Sequence, residues 1–209
     1  MIAIIDYNAG NLKSVQKAFE KAGVDCIATA DEDEIFKSDA VVLPGVGAFA
    51  DCMHNLKQRG MEKVVLQSIQ KGMPFLGICL GFQMLFEDSE EHQTATSKVK
   101  GIGIFKGTVR QFPLDMGLKV PHMGWNSLEI VKPSPLLEGL PQKAFVYFVH
   151  SYYVDSADRS LVSARCDYGV PFDAAISHDN VHAVQFHPEK SGDVGLLMIR
   201  NFVKAVYKR

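Results

Sequence analysis

Apolar residues follow two rhythms in the first half of the chain. Ile2–Asp6, Val24–Ala28, Ala40–Leu43 and Pro74–Ile78 are short, mostly apolar runs, the pattern of strands covered on both faces. Between them the apolar positions are spaced for helices. Leu12, Val15, Phe19 and Ala22 form one stripe of a helix that Asn11 is placed to cap and Gly23 to end. Two more helices are predicted over Phe49–Gln58 and Met61–Lys71, the latter stopped by Gly72. Another begins over Leu80–Phe86, directly after the fourth strand. Repeated strand–helix alternation predicts an α/β fold: a doubly wound, mostly parallel open sheet with helices on both faces.

The second half is richer in strands. Runs at Gly107–Phe112, Ser127–Val131, Ala144–Val149, Leu161–Ala164, Ala174–Ser177 and Val181–Phe186 predict antiparallel strands added to that sheet. Glu87–Lys100 is polar and reads as an exposed loop, and Val194–Tyr207 as an amphipathic closing helix. No repeat, low-complexity tract or linker interrupts the chain, so residues 1–209 are expected to form a single domain.

Composition narrows the function. The 209 residues are 47% hydrophobic and 22% charged with a net charge of −2. That is an ordinary globule with no electrostatic footprint for nucleic acid or an anionic membrane, so neither partner is expected. No run approaches the roughly 20 apolar residues of a membrane span. The apolar start at Met1–Asp6 is too short for a signal peptide, and a cytoplasmic protein is expected. Cys26, Cys52, Cys79 and Cys166 are scattered, without CxxC spacing, which suits a reducing compartment. The seven histidines lack HExxH or paired-Cys spacing, so no metal or other cofactor is expected; His54 and His92 read as surface residues. Gly101-Ile102-Gly103 has no third glycine in place for a nucleotide loop, and no GxSxG marks a serine hydrolase.

Two segments carry chemistry. In Phe75-Leu76-Gly77-Ile78-Cys79-Leu80-Gly81 a thiol sits where a buried strand turns into a helix, with glycines on both sides keeping side chains away. Far downstream, Phe186-His187-Pro188-Glu189 offers an imidazole and a carboxylate to orient it. Cys79, His187 and Glu189 are the parts of an activated-nucleophile acyl-transfer site. The amide of Leu80, immediately after the nucleophile, is a candidate oxyanion donor.

With these residues in hand the chain resembles the class I, triad-type glutamine amidotransferases over essentially its whole length. Four segments are similar to one branch of that class: Ile5–Asn11 with Ser14, Pro44–Phe49, Pro121–Asn126 and Tyr147–Tyr153. Phe82 departs mildly from the usual Met, Leu or Ile. The resemblance implies hydrolysis of the glutamine side-chain amide, with the ammonia passed to a (β/α)8-barrel cyclase partner. That cyclase makes imidazole glycerol phosphate and aminoimidazole carboxamide ribotide in histidine biosynthesis. It implies a second oxyanion donor at Val46, on a peptide free to flip, and substrate-binding roles for Gly47, Gln83, Ser151 and Tyr152. It places Pro121, Met123, Trp125, Asn126, Tyr147 and Lys190 at the cyclase interface. Two alternatives remain. One is the glutaminase of another pathway, such as pyridoxal phosphate synthesis, whose family has Gly-Gly-Glu-Ser-Thr where this chain has Pro-Gly-Val-Gly-Ala-Phe. The other is a non-catalytic subunit of the same fold.

Overall fold

The computed structural model describes residues 1–91 and 98–207. Its first half is the predicted alternation: β1 (Ile2–Ile5), α1 (Leu12–Lys21), β2 (Cys26–Thr29), α2 (Glu32–Lys37), β3 (Ala40–Gly45), α3 (Phe49–Gln58), α4 (Met61–Gln70) and β4 (Phe75–Cys79). There follow α5 (Leu80–Gln83), β5 (Phe86–Ser89), β6 (Val99–Lys100), β7 (Phe105–Gln111), β8 (His122–Ile130), β9 (Lys143–His150), β10 (Tyr152–Ser156), β11 (Val162–Asp167), β12 (Pro171–His178), β13 (Val181–Val184) and α6 (Gly192–Tyr207).

One sheet takes up the strands of both halves, in the order β2-β1-β3-β4-β13-β12-β10-β7-β5-β6, with β11, β8 and β9 branching from β12. The strands from β2 to β13 run parallel, and β12 pairs antiparallel with β13. Side chains on a strand alternate between faces, which splits the core in two. Ile2, Ile4, Val42 and Ile78 pack with Phe19 of α1 and Phe202 of α6. Ala3, Ile5, Val41 and Phe75 pack with Ile35 of α2, Leu56 of α3 and Val64 of α4. Both faces are therefore covered by helices, and this is why β1, β3 and β4 are apolar without a break.

The differences from expectation have local causes. Asn11 makes no side-chain cap. The helix after β4 is one turn rather than seven residues, because Ile102 and Ile104 donate to the carbonyls of Met84 and Leu85 at 2.8 and 2.9 Å, and Phe86 turns into a strand. The polar stretch after it is not simply a loop, since β5 pairs with β6. Helix α2 went unread because Ile35 is its one buried residue; its start is set by Asp31, whose carboxylate accepts from the Glu34 amide at 3.0 Å. The strand β10 was also unread. His54 is exposed, and His92 lies outside the described residues. Among the described residues no helix is long and apolar enough to cross a membrane.

The arrangement has one consequence for chemistry. β4 and β13 are parallel neighbours, with Ile78 opposite Val184. Their carboxyl ends, where ligands bind in open α/β sheets, bring Cys79 and His187 together although 107 residues lie between them in the chain.

Candidate active site

Cys79 ends β4 with φ 55° and ψ −110°, a conformation that costs a side-chain-bearing residue free energy and clusters at functional sites. The neighbouring glycines permit it. A Cβ on Gly81 would stand 1.8 Å from the carbonyl oxygen of Leu43, and one on Gly77 3.0 Å from the carbonyl of Gly81. The elbow therefore lies directly against β3. We expect Gly81→Ala to destabilise the fold by about 3 kcal/mol, as overpacking outweighs the ~1 kcal/mol gained in helix propensity. Urea unfolding checks this; a midpoint at or above that of the parent would mean that β3 yields.

His187 is buried, and its Nδ1 lies 2.8 Å from Oε1 of the equally buried Glu189. Burial opposes a charge on this imidazole, but the Cys79 side chain and Glu189 outweigh it and push His187 up to about 10. Nε2 has no hydrogen bond of ordinary geometry, nor has Oε2 of Glu189. The ring thus holds a proton at neutral pH beside the sulfur, the arrangement that makes a thiol nucleophilic. The one-turn α5 adds little, since a helix so short has a small dipole. The His187 backbone is fixed too: its amide donates to the Tyr147 carbonyl at 3.0 Å, and the Ser191 hydroxyl donates to its carbonyl at 2.6 Å.

A cavity of about 310 Å³ opens on these groups. Val46, Gly47, Leu80, Gln83, Ser151 and Tyr152, all singled out in the sequence, line it together with Cys79 and His187. Glu189 stands behind His187 and does not line it. Val46 is 41% exposed, with Gly47 beside it at φ 103°. The Val46 carbonyl accepts from the Cys52 thiol at 3.3 Å.

Four lining or neighbouring residues were not foreseen. Glu91 lines the cavity and its carboxylate accepts from the Phe49 amide, but it lay in a stretch read only as polar loop. Val149 and His150 belong to the segment Tyr147–Tyr153 that carries the resemblance, but neither was given a role in the site. Gln185, fully buried, places Nε2 3.8 Å from the Cys79 sulfur; a polar residue inside an apolar run was the available signal, because buried carboxamides need partners.

The residues read as an interface separate into two groups. Met123 and Trp125 on β8 are 62% and 56% exposed. Trp125 pairs in register with Tyr147 of β9, ring centroids 6.2 Å apart, and Lys190 Nζ stands 5.8 Å from the Tyr147 ring. Phe145, 53% exposed on β9, extends this patch and was not anticipated. Pro121 instead lines the active cavity, and Asn126 turns its amide inward to His122 and the Asp167 carbonyl.

Comparison with known proteins fits this geometry. The family described as glutamine amidotransferase class-I matches residues 3–206. The imidazole glycerol phosphate synthase subunit HisH of Syntrophotalea carbinolica is 51% identical, covering 97% of this chain and 98% of that protein. The protein of the same name from Methanothermobacter thermautotrophicus is 50% identical over 99% of each. Among solved structures, a glutamine amidotransferase superposes with a TM-score of 0.75 at 18% identity over 99% of both chains. PurLQS from Thermotoga maritima gives 0.75 at 18%, over 98% of this chain and 97% of that one. At that identity the solved structures speak for the fold.

Proposed function

The chain belongs to the class-I glutamine amidotransferase family, and we propose that it is the glutaminase subunit of an imidazole glycerol phosphate synthase, working in the cytoplasm as one unit over residues 1–209. The observation that carries this is the buried Cys79–His187–Glu189 constellation, whose thiol and imidazole line a cavity sized for an amino acid, in a chain about half identical to relatives of that name over nearly full length.

The chemistry follows from the geometry. Cys79 attacks the side-chain amide carbon of glutamine. The negative charge that develops on oxygen is met by the amides of Leu80 and Val46. His187 gives its proton to the departing nitrogen, and ammonia leaves behind a glutamyl thioester. Water then attacks the thioester with His187 as base, and glutamate is released. Glu189 holds the ring through Nδ1. Gly47 and Gln83, which line the cavity, hold the substrate, and backbone groups at Ser151 and Tyr152 bind its amino-acid end.

Ammonia set free in neutral water is mostly ammonium, a poor nucleophile, so the product has to pass directly to a partner. We assign Met123, Trp125, Tyr147 and Lys190, with Pro121 and Asn126 on the same segment, to docking of a (β/α)8-barrel cyclase. Support comes from the exposure of the aromatic patch and from the Tyr147 carbonyl holding the His187 amide. The test is glutamate release from glutamine by the purified chain with and without the cyclase; an assembled pair that releases none overturns the reading. Trp125→Ala is expected to weaken cyclase binding by about 2 kcal/mol, roughly thirtyfold. It should also raise the ratio of glutamate to imidazole product above one. Unchanged affinity together with a ratio of one removes Trp125 from the interface.

A further inference from the structure

The sulfur of Cys79 has a polar neighbour outside the triad. Gln185 Nε2 lies 3.8 Å from it, and both side chains are buried. Which end of a carboxamide faces sulfur depends on what the other end meets. Here that dependence can be followed to a fixed point, the carbonyl oxygen of Tyr152, which only accepts. Gln83 lies 2.8 Å from it and must present its NH2 group. The same NH2 lies 2.9 Å from Gln185, which must therefore present its oxygen. The NH2 of Gln185 is then left for Cys79.

A second branch meets the same carbonyl. His150 Nδ1 lies 2.8 Å from it and must carry a hydrogen, leaving Nε2 to accept. His122 Nδ1, 3.1 Å away, donates to that Nε2, so the other nitrogen of His122 accepts from Asn126 Nδ2 at 3.3 Å. Every step pairs one donor with one acceptor, and both rings are neutral. Burial, the largest influence on each, holds His122 down at about 4 and His150 at about 3, which keeps them so at neutral pH. His122 is also clamped by stacking on Tyr168, centroids 3.9 Å apart. Asn126 follows Trp125 directly on β8.

We propose that Gln185 is a further functional residue of this site, donating a hydrogen bond to the Cys79 thiolate in an orientation set by the Tyr152 carbonyl through Gln83, and that the Asn126–His122–His150 chain holds that carbonyl in place. A hydrogen bond from a neutral amide favours the charged sulfur over the thiol. The chain runs from the exposed patch to the nucleophile by a route separate from the Tyr147–His187 contact. It also leaves Oε1 of Gln83 as an acceptor for the substrate. The significance for glutamine hydrolysis rests on the function proposed above, whereas the contact with sulfur does not.

The test therefore reads the thiol directly. Alkylation of Cys79 by iodoacetamide is followed by peptide mass spectrometry in the full chain at pH 7, beside glutamate release in the assembled pair. Gln185→Leu should slow Cys79 alkylation about tenfold, the worth of one hydrogen bond to a charged atom. It should lower kcat similarly and leave KM within about twofold. Gln185→Glu keeps the shape and the acceptor toward Gln83 but loses the donor; it should slow alkylation at least as much and serves if the Leu variant does not fold. His122→Phe preserves the stacking and should slow alkylation severalfold in the parent but not further in Gln185→Leu, since linked residues are non-additive. Alkylation within about twofold of the parent in Gln185→Glu overturns the role of Gln185. Additive losses, or no effect of His122→Phe, overturn the chain. A parent that releases no glutamate removes the glutaminase reading and leaves the alkylation result standing.

Discussion

Cys79→Ala is expected to abolish glutamine-dependent synthesis by the assembled pair, a loss on the order of 10⁴-fold or more, while synthesis from an added ammonium salt continues. No other group can form the thioester. Cys52 and Cys166 are buried thiols, and Cys26 lies beside α1, where its sulfur donates to the Gln16 carbonyl at 3.6 Å. Ammonia supplied from solution bypasses the elbow, because the step that uses it lies on the partner. Cys79→Ala also removes the reactive side chain without adding atoms to a crowded turn, so the fold should hold. Measuring both nitrogen sources in the same preparation separates a lost nucleophile from a lost assembly. Glutamine use at the parent rate would show that the thiol is not the nucleophile; loss of both activities would point to a broken complex.

His187→Asn should be nearly as damaging, about 10³–10⁴-fold in kcat, since among the described residues no second base stands beside the sulfur. Glu189→Gln should cost less, on the order of 10²-fold. The introduced amide can still present an oxygen to Nδ1 and preserve the tautomer, but the buried negative charge that helps hold the imidazole's proton is gone. The two residues act as one device, so the double variant should be little worse than His187→Asn alone. Losses that add in log rate would mean that Glu189 acts by another route.

The parts of this architecture that were readable in the sequence are those in which one strong local rule operates. Strands buried on both faces have to be apolar throughout, so β1, β3 and β4 stood out within a residue or two. The helices Phe49–Gln58 and Met61–Gln70 bury a continuous stripe and were equally plain. Where distant partners decide, the pattern misled. Leu80–Phe86 has the composition of a helix, and only the return of Ile102 and Ile104 against Met84 and Leu85 shortens it. The site divides the same way. Cys79, Leu80, His187 and Glu189 sit in short motifs whose chemistry is local. Gln185 and His150 gain meaning only when strands far apart in the chain are laid side by side, and Phe145 became visible as a surface residue only once the pairing of β8 and β9 set which face points outward.

The four cysteines, scattered and unpaired, also make this molecule convenient to handle. Burial raises Cys52 to about 11 and Cys166 to about 12, and raises Cys26 as well. At neutral pH those three are muted, and the sulfur at the elbow faces the one imidazole that holds a proton beside it. A brief pulse of a fluorogenic maleimide is therefore expected to favour that sulfur over the other three without deleting any of them. The native chain carries its own attachment point for a dye, a spin label or a tethered inhibitor, positioned on the wall of the cavity.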